Sequence, residues 1–417
     1  MNTLLLHNAT LIDGTGADPR PRTSVLVEDG LIRRVASADN LGPPSDRHAG
    51  GRVVDLDGMT LMPGLTDAHV HLGGVGVNSV STFSPEDNLA VYVIDVVENI
   101  GLALQEGFTT VRDAGGLDPA FARATELGLI KGPRILPSGS HLSQTGGHGD
   151  LRGRYDEAPI RSIPGILAAP VLVDGVDAVR AAARQQLRLG ATQVKLMASG
   201  GIMSPIDELE SVQFTVEEMQ AAVHEAGMAG KYALAHCHTS PSVSNALAAG
   251  VRSIEHGSIL DEATARRIVE QQAFMVPTLL VVDVLAKSAE TGELPHYRQM
   301  KLERVRTAMP LSVELAAGAG VHLGSGSDIL GARQSGRGGE LALKARVMGP
   351  MKAIISATQT NARLFRLEDR IGRVEEGMEA DLIAVAGDPL DDIGLLADAG
   401  NVRLVVKGGR IFKEALN

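Results

Sequence analysis

Aromatic side chains are scarce in this sequence: they make up 3% of its 417 residues, and tryptophan is absent. Aliphatic side chains and closely packed Ala and Gly must therefore fill the interior. Cysteine is nearly missing too. Cys237 stands alone, which rules out an intrachain disulfide and leaves no sign of an oxidising compartment. There is no basic excess either. The formal net charge of -11 argues against a nucleic-acid partner, which would want a basic face, and fits a well-solvated surface. No apolar run is long enough to span a bilayer, so no membrane partner is expected. The opening MNTLLLHNATLIDG has no basic region ahead of its short apolar run and reads straight into a strand and a turn. The expected location is the cytoplasm, although a processed secreted form would look the same. What is present is ordinary for a soluble globular chain, with 44% hydrophobic and 21% charged residues.

The two ends share a texture that the middle lacks. TLLLHNATLIDG, SVLVEDGLIRRVA and RVVDLDGMTLMPG at the start, and GRVEEGMEADLIAVAGDP and VRLVVKGGRIF at the end, are short β-rich runs broken by Asp-Gly and Asn turn signals. Short strands at both termini need partners. The simplest arrangement is one small β-sandwich domain built from residues 1–58 and 363–417. Residues 59–362 change rhythm to strand then helix, repeatedly: ATQVKLMASGG follows DAVRAAARQQLRLG, and YALAHCHTS follows TVEEMQAAVHEAGMAG. Apolar strands alternating with amphipathic helices mean α/β structure with a parallel sheet. About eight such units over roughly 300 residues suit a (β/α)8 TIM barrel. A doubly wound open sheet has the same local texture.

The histidines decide between them. LTDAHVHL places His69 and His71 two apart, on one face of a strand. Lys195 in QVKLMAS, His236 in ALAHCHT, His256 in SIEHGS and Asp328 in GSGSD each sit where a predicted strand hands over to its loop. In a barrel those ends converge on one mouth, whereas in an open sheet they would be strung along an edge. Singly, each histidine reads as an ordinary satisfied polar residue. Together they read as a metal site with zinc-type ligands. Lys195 is the odd member, because an ammonium cannot ligate a cation and is costly to bury. A neutral lysine, however, reacts with carbon dioxide to give an anionic carbamate able to bridge two metals.

This set resembles the amidohydrolase superfamily in its binuclear form with a carboxylated lysine, and the resemblance covers essentially the whole chain. It implies that His69, His71 and Asp328 hold the more buried of two divalent ions, most simply Zn2+. His236 and His256 would hold the other, and carboxylated Lys195 (N6-carboxylysine) would bridge them. Asp328 would also take a proton from the attacking water and deliver it to the leaving amine. A mononuclear deaminase on the same scaffold lacks the bridging lysine, and a silent hydantoinase-like scaffold protein would have lost ligands.

Three stretches narrow the resemblance to the prolidase-like branch, which acts on Xaa-Pro dipeptides, N-acyl amino acids and ochratoxin: SQTGGHGD, KLMASGGIMSPIDELESVQFTVEEM and QSGRGGELALKARVMGPMKAIISATQTNA. The expected partner is thus a small amide or dipeptide with a free carboxylate. A general amidase or a cyclic-amide or imidazolone hydrolase is the alternative. The branch implies a homo-oligomer, with an octamer plausible. His148 lies in a Gly-rich loop that can overhang the metals, and is expected either to contact substrate or to bond Asp150. Arg152 and Arg154 nearby are candidate carboxylate clamps or solvated charges. At AHCHTS the branch usually has Tyr where this chain has His238, a second candidate substrate contact. That leaves the strand-five ligand open between His236 and His238, with position favouring His236. Cys237 should face the other way. The glycines of ASGG and GSGSD lack a Walker partner and read as room for substrate. His7, His48, His224, His296 and His322 fall outside the constellation.

Overall fold

The computed structural model describes residues 3–42, 51–75, 89–292 and 294–416, so His48 lies outside the described residues. The two chain ends meet in one continuous eight-stranded sheet. Its order is Arg410–Glu414, Val402–Lys407, Leu382–Val385, Thr60–Pro63, Thr3–Leu11, Arg20–Glu28 and Leu31–Ser37, with Arg52–Asp55 added beside Thr3–Leu11. Thr60–Pro63 pairs antiparallel with Leu382–Val385, so the end-built sheet runs past residue 58, where its first segment was expected to stop. The far boundary shifts as well, since the helical run Pro350–Phe365 crosses residue 363.

Both faces of this sheet are buried at Thr60–Pro63, Leu382–Val385 and Val402–Lys407, and the strand period of two sorts their side chains. Leu61, Leu382, Ala384, Leu404 and Val406 join a core internal to the terminal region. Their neighbours Met62, Ile383, Val385, Val402 and Val405 turn the other way, onto Val96, Ile100 and Leu104 of the helix Leu89–Gln105. Each fully buried aliphatic side chain contributes about 1.5–3 kcal/mol relative to exposure. That face therefore joins the terminal sheet to the central region through an apolar core.

The central strands run parallel, in chain order. We number them β1 (Leu65–Val70), β2 (Phe108–Asp113), β3 (Arg134–Pro137), β4 (Val194–Met197), β5 (Ala233–Thr239), β6 (Ser253–Ile259), β7 (Phe274–Val276) and β8 (His322–Leu323). β1, β2 and β3 form one ladder, and β4 to β8 belong to another. After β3 the chain kinks and continues through Leu142–Ser143, where Leu142 pairs with Leu196 of β4. At the other seam the Ala68 N–H donates to the Ser325 carbonyl, and the Asp328 N–H donates to the His69 carbonyl, both at 2.8 Å. Helices separate successive strands as the amphipathic repeats require. The helix Val216–Met228, for example, starts from a Thr215–Glu218 capping box, a feature whose removal typically costs about 1 kcal/mol. Among the described residues no helix is long and apolar enough to cross a membrane.

Candidate metal centre

Five of the six expected ligands gather tightly at the C-terminal ends of these strands. His69 lies in β1 with His71 just beyond it, and their Nε2 atoms are 3.3 Å apart. Asp328 Oδ1 lies 3.6 Å from His69 Nε2 and 3.4 Å from His71 Nε2, while Asp328 Oδ2 is 3.9 Å from His256 Nδ1. Ligand atoms of His69, His256 and Asp328 fall within 4.8 Å of one another. The ring of His236 is 4.5 Å from that of His256 and 4.7 Å from that of His238. Lys195 in β4 is buried, and no hydrogen bond or ion pair among the described residues engages its ammonium.

Local backbone geometry explains the convergence. Asp67, two residues before His69, accepts from the Ser327 hydroxyl (2.5 Å), the Ser327 N–H (3.0 Å) and the His69 N–H (3.1 Å), and so ties β1 to the segment carrying Asp328. Asp328 has φ +54° and His256 φ +70°, a left-handed conformation that costs free energy for residues other than glycine. At His256 this has a visible result. Glu255 and His256 are adjacent, and a regular strand would send them to opposite faces. Instead Glu255 bonds His69 while the His256 ring packs against those of His69, His236 and His238. Two of the glycines in ASGG and GSGSD make room for histidines of the cluster. A Cβ at Gly326 would lie 2.5 Å from His69 Cβ, and one at Gly201 would strike the His148 ring.

Burial holds the imidazoles neutral, as ligation requires. It depresses His69, His236 and His256 well below the usual histidine range, His71 to about 4 and His238 to about 3. Burial also lowers Lys195 and raises Asp328, each disfavouring its charged form. The second ring nitrogens show which lone pairs are free. His69 Nδ1–H donates to Glu255 (2.7 Å) and His71 Nδ1–H to the Gly115 carbonyl (2.7 Å). A carboxylate or carbonyl only accepts, so both Nε2 atoms carry lone pairs. Likewise His236 Nε2–H donates to the Gly200 carbonyl (3.2 Å), leaving Nδ1 as its lone pair. His256 and His238 each place Nδ1 2.8 Å from a hydroxyl, of Thr278 and Ser258 respectively. Cys237, between the two histidines of β5, faces the helix layer, and burial pushes its thiol up to about 12, so it is inert.

The amidohydrolase family model matches residues 60–412. The chain belongs to the amidohydrolase family. It is 32% identical to an ochratoxinase from Aspergillus niger, over 98% of this chain and 86% of that one. A solved prolidase in complex with N-methylphosphonate-L-proline is 37% identical, with a TM-score of 0.90 over 99% of this chain and all of that one. A Xaa-Pro dipeptidase structure is 30% identical, with a TM-score of 0.88 over 99% and 100% of the two chains. The prolidase-like branch is thus the right one, and this amidohydrolase is a hydrolase acting on amide bonds.

Other sequence candidates are placed unevenly around the cluster. His148 stacks on His236, with ring centroids 4.4 Å apart at 18°. Its Nδ1 lies 3.4 Å from Asp207 Oδ2, and its N–H donates to Gln213 (2.8 Å). The Asp150 partnership does not form, because Arg152 takes both Asp150 oxygens at 2.8 Å. Arg154 is exposed and makes no ion pair among the described residues. Sequence reasoning passed over His141. It lies beyond β3, its buried Nδ1 has no hydrogen-bond partner, and burial holds it well below the usual range. The signal was available in PRILPSGSHL, which carries a histidine beyond its strand, where the other strands carry their candidate ligands.

Proposed function

We propose that this amidohydrolase holds two zinc ions and hydrolyses the amide bond of an N-acyl amino acid or dipeptide with a free carboxylate, Xaa-Pro dipeptides and ochratoxin A included. One observation carries the reading. The lone pairs of His69 Nε2 and His71 Nε2 face each other at 3.3 Å, and Asp328 Oδ1 lies within 3.6 Å of both. Three converging acceptors repel one another unless a cation lies among them. Ligands at ~2.05 Å around a tetrahedral zinc are about 3.3 Å apart. The residues therefore fit the metal.

In this reading His69, His71 and Asp328 hold one ion and His236 and His256 the other. Lys195, carboxylated on Nζ, would supply an anionic ligand to both. Its burial and the absence of a hydrogen-bond partner among the described residues favour the neutral amine that takes up carbon dioxide. The ions supply two things when bound: a lowered pKa for the attacking water and a polarised carbonyl. The chain supplies the rest. Asp328, whose proton affinity is raised by burial, accepts the water proton and passes it to the leaving nitrogen. His238 and His148 contact the substrate beside the scissile carbonyl. Arg152 and Arg154 would face its carboxylate, with Arg152 sharing its guanidinium between Asp150 and the substrate.

The seam bonds from Ala68 and Asp328 support reading the parallel strands as a closed (β/α)8 barrel, with the end-built sheet as a second domain. Assembly into a homo-oligomer, up to an octamer, is compatible with the site, since every residue named comes from one chain.

Metal analysis of purified protein, paired with a panel of Xaa-Pro dipeptides, N-acyl amino acids and ochratoxin A, tests the proposal. About two equivalents of zinc per chain and turnover of panel members abolished by chelation are expected. Full activity in metal-free protein overturns the metal reading. Turnover confined to uncharged or cyclic amides moves the enzyme to the general amidase or imidazolone-hydrolase alternative.

A further inference from the structure

His69 is braced by a charged network that no metal ligand requires for its own sake. Glu255 in β6 is fully buried, and its Oε2 accepts from His69 Nδ1 at 2.7 Å. Arg112 in β2, also fully buried, donates from one Nη to both oxygens of the same carboxylate at 2.8 and 2.9 Å, and from Nε to the Ala68 carbonyl of β1 at 2.6 Å. The Ser253 hydroxyl adds a fourth hydrogen bond, to Glu255 Oε1, at 2.5 Å. Three strands thus meet at one carboxylate, and the residue they orient is the first histidine of the His-x-His pair.

Burying Glu255 and Arg112 is costly, and a well-packed apolar pair in their place would hold the strands together at least as well. A purely structural role leaves the ion pair unexplained. The chemistry of His69 explains it. An imidazole presents a lone pair at Nε2 only when Nδ1 carries the hydrogen, and a carboxylate at 2.7 Å enforces that tautomer. Arg112 in turn keeps the carboxylate from rotating, since its Nε is anchored on the residue just before His69. His71 needs no such device, because a main-chain carbonyl fixes its tautomer. His256 meets only a hydroxyl.

We propose that Glu255, held by Arg112, is a positioning residue for the metal centre. It fixes the His69 tautomer and ring orientation so that Nε2 faces the ion held with His71 and Asp328. This inference rests on the metal reading above.

The informative substitution is Glu255→Gln. A glutamine in the same place can present its amide N–H to Nδ1 while its oxygen stays with Arg112. That arrangement places the imidazole hydrogen on Nε2, the wrong side. Metal affinity is measured by chelator competition on stripped, reconstituted protein, and the visible spectrum of the cobalt-substituted form reports ligand geometry. The expected result is a loss of affinity of about 10–100-fold for one of the two ions, with an altered cobalt spectrum. Wild-type affinity and an unchanged spectrum overturn the proposal. Should Glu255→Gln fail to fold, with Arg112 left without its carboxylate, the double variant Arg112→Met/Glu255→Leu removes both charges together with the acceptor of His69 Nδ1–H and is expected to show a loss in the same direction. His69→Ala separates the two levels. If it loses metal while Glu255→Gln does not, only the positioning role fails. If neither loses metal, the ligand assignment of His69 fails, and this inference fails with it.

Discussion

Lys195 and Lys344 are the two most deeply buried lysines among the described residues, and they are buried differently. Lys195 sits in β4 and Lys344 in the helix Gly339–Met348, neither with appreciable exposure. Burial lowers the pKa of both. Lys344 is answered on every side. Its ammonium donates to the Gly324 carbonyl, and Glu340, one helical turn earlier, interacts with it electrostatically. Glu340 itself accepts from the Leu280 N–H at 2.8 Å, so the pair ties its helix to the helix Leu279–Glu290. Lys195 has no hydrogen-bond partner among the described residues, and the carboxylates that act on it electrostatically are those of Glu255 and Asp328. It shares its neighbourhood with imidazoles and with Asp328, whose titration it influences directly. Desolvation is thus common to structural and chemical lysines, and satisfaction tells them apart. A buried charge with its own carbonyl and carboxylate is packing, while one left open beside five metal-type ligands is available for chemistry.

Breaking that contrast gives the largest expected effect. Lys195→Ala should lose both bound metal and activity, because the bridging anion is gone, and added short carboxylic acids should restore part of the activity by filling the gap. Lys344→Met should keep metal and turnover while losing stability, since Glu340 is left buried without its cation. Metal content and kcat/KM of the two variants, measured side by side, settle the matter. Wild-type metal in Lys195→Ala sinks the carboxylysine assignment.

Asp328→Asn comes next. The amide keeps the shape and some ligating ability of the carboxylate but cannot accept a proton, so kcat should fall about 10²–10⁴-fold with a smaller change in metal content. An unchanged rate would hand the proton transfer to another residue.

Much of this was legible in the sequence, for a physical reason. Strand ends converge in a barrel, so His69, His71, Lys195, His236, His256 and Asp328 were expected to gather because they recur together at predicted strand ends. What escaped notice depended on contacts between strands. Glu255 precedes His256, and regular alternation assigns it to the opposite face; only the left-handed φ of His256 brings both inward. Arg112 reads as one of several polar residues in FTTVRD until Glu255 of β6 is found against His69 of β1. The glycines of ASGG and GSGSD were recognised as space, but the occupants, His148 and His69, follow only from three-dimensional packing. The strand Thr60–Pro63 lay a few residues beyond the expected boundary for a similar reason. Nothing local in TLMP says that it pairs with Leu382–Val385, more than three hundred residues away.

A smaller effect is expected when the substrate carboxylate is removed. His148, Arg152 and Arg154 come from one loop, and a carboxylate held there would align the carbonyl and assist turnover as well as binding. The methyl ester or primary amide of a good substrate should therefore lose about tenfold or more in kcat/KM at matched pH. A change within about threefold, under ~1 kcal/mol of transition-state binding, discards the clamp. Arg152→Ala sharpens the test. Because Arg152 also holds Asp150, its loss should lower kcat/KM for the acid substrate and leave the ester nearly unchanged if the residue reads charge, but lower both equally if it only orders the loop.

The last prediction concerns stability alone and returns to Lys344. Burial lowers its folded-state pKa from 10.5 to about 8, so between those values the unfolded chain binds more protons than the folded one. Stability must then rise with pH across that window, at a slope approaching 1.36 kcal/mol per unit. Glu340 works in the opposite sense. Its folded pKa is raised by burial, so its contribution is present below the unfolded value and is lost as pH climbs through the folded one. Comparing Glu340→Gln with Glu340→Gln/Lys344→Met removes that opposing effect. Urea midpoints of the metal-stripped proteins should show the single variant gaining on the double by about 1 kcal/mol between pH 8 and 9. Turnover of the reconstituted forms should stay level across the pair. A flat difference would mean that Lys344 titrates as an ordinary lysine even without Glu340, and that the carbonyl of Gly324 offsets the cost of burying it. Lys195 would then be the one buried lysine of the two whose proton is loosely held, and the contrast between the two sites would be greater still.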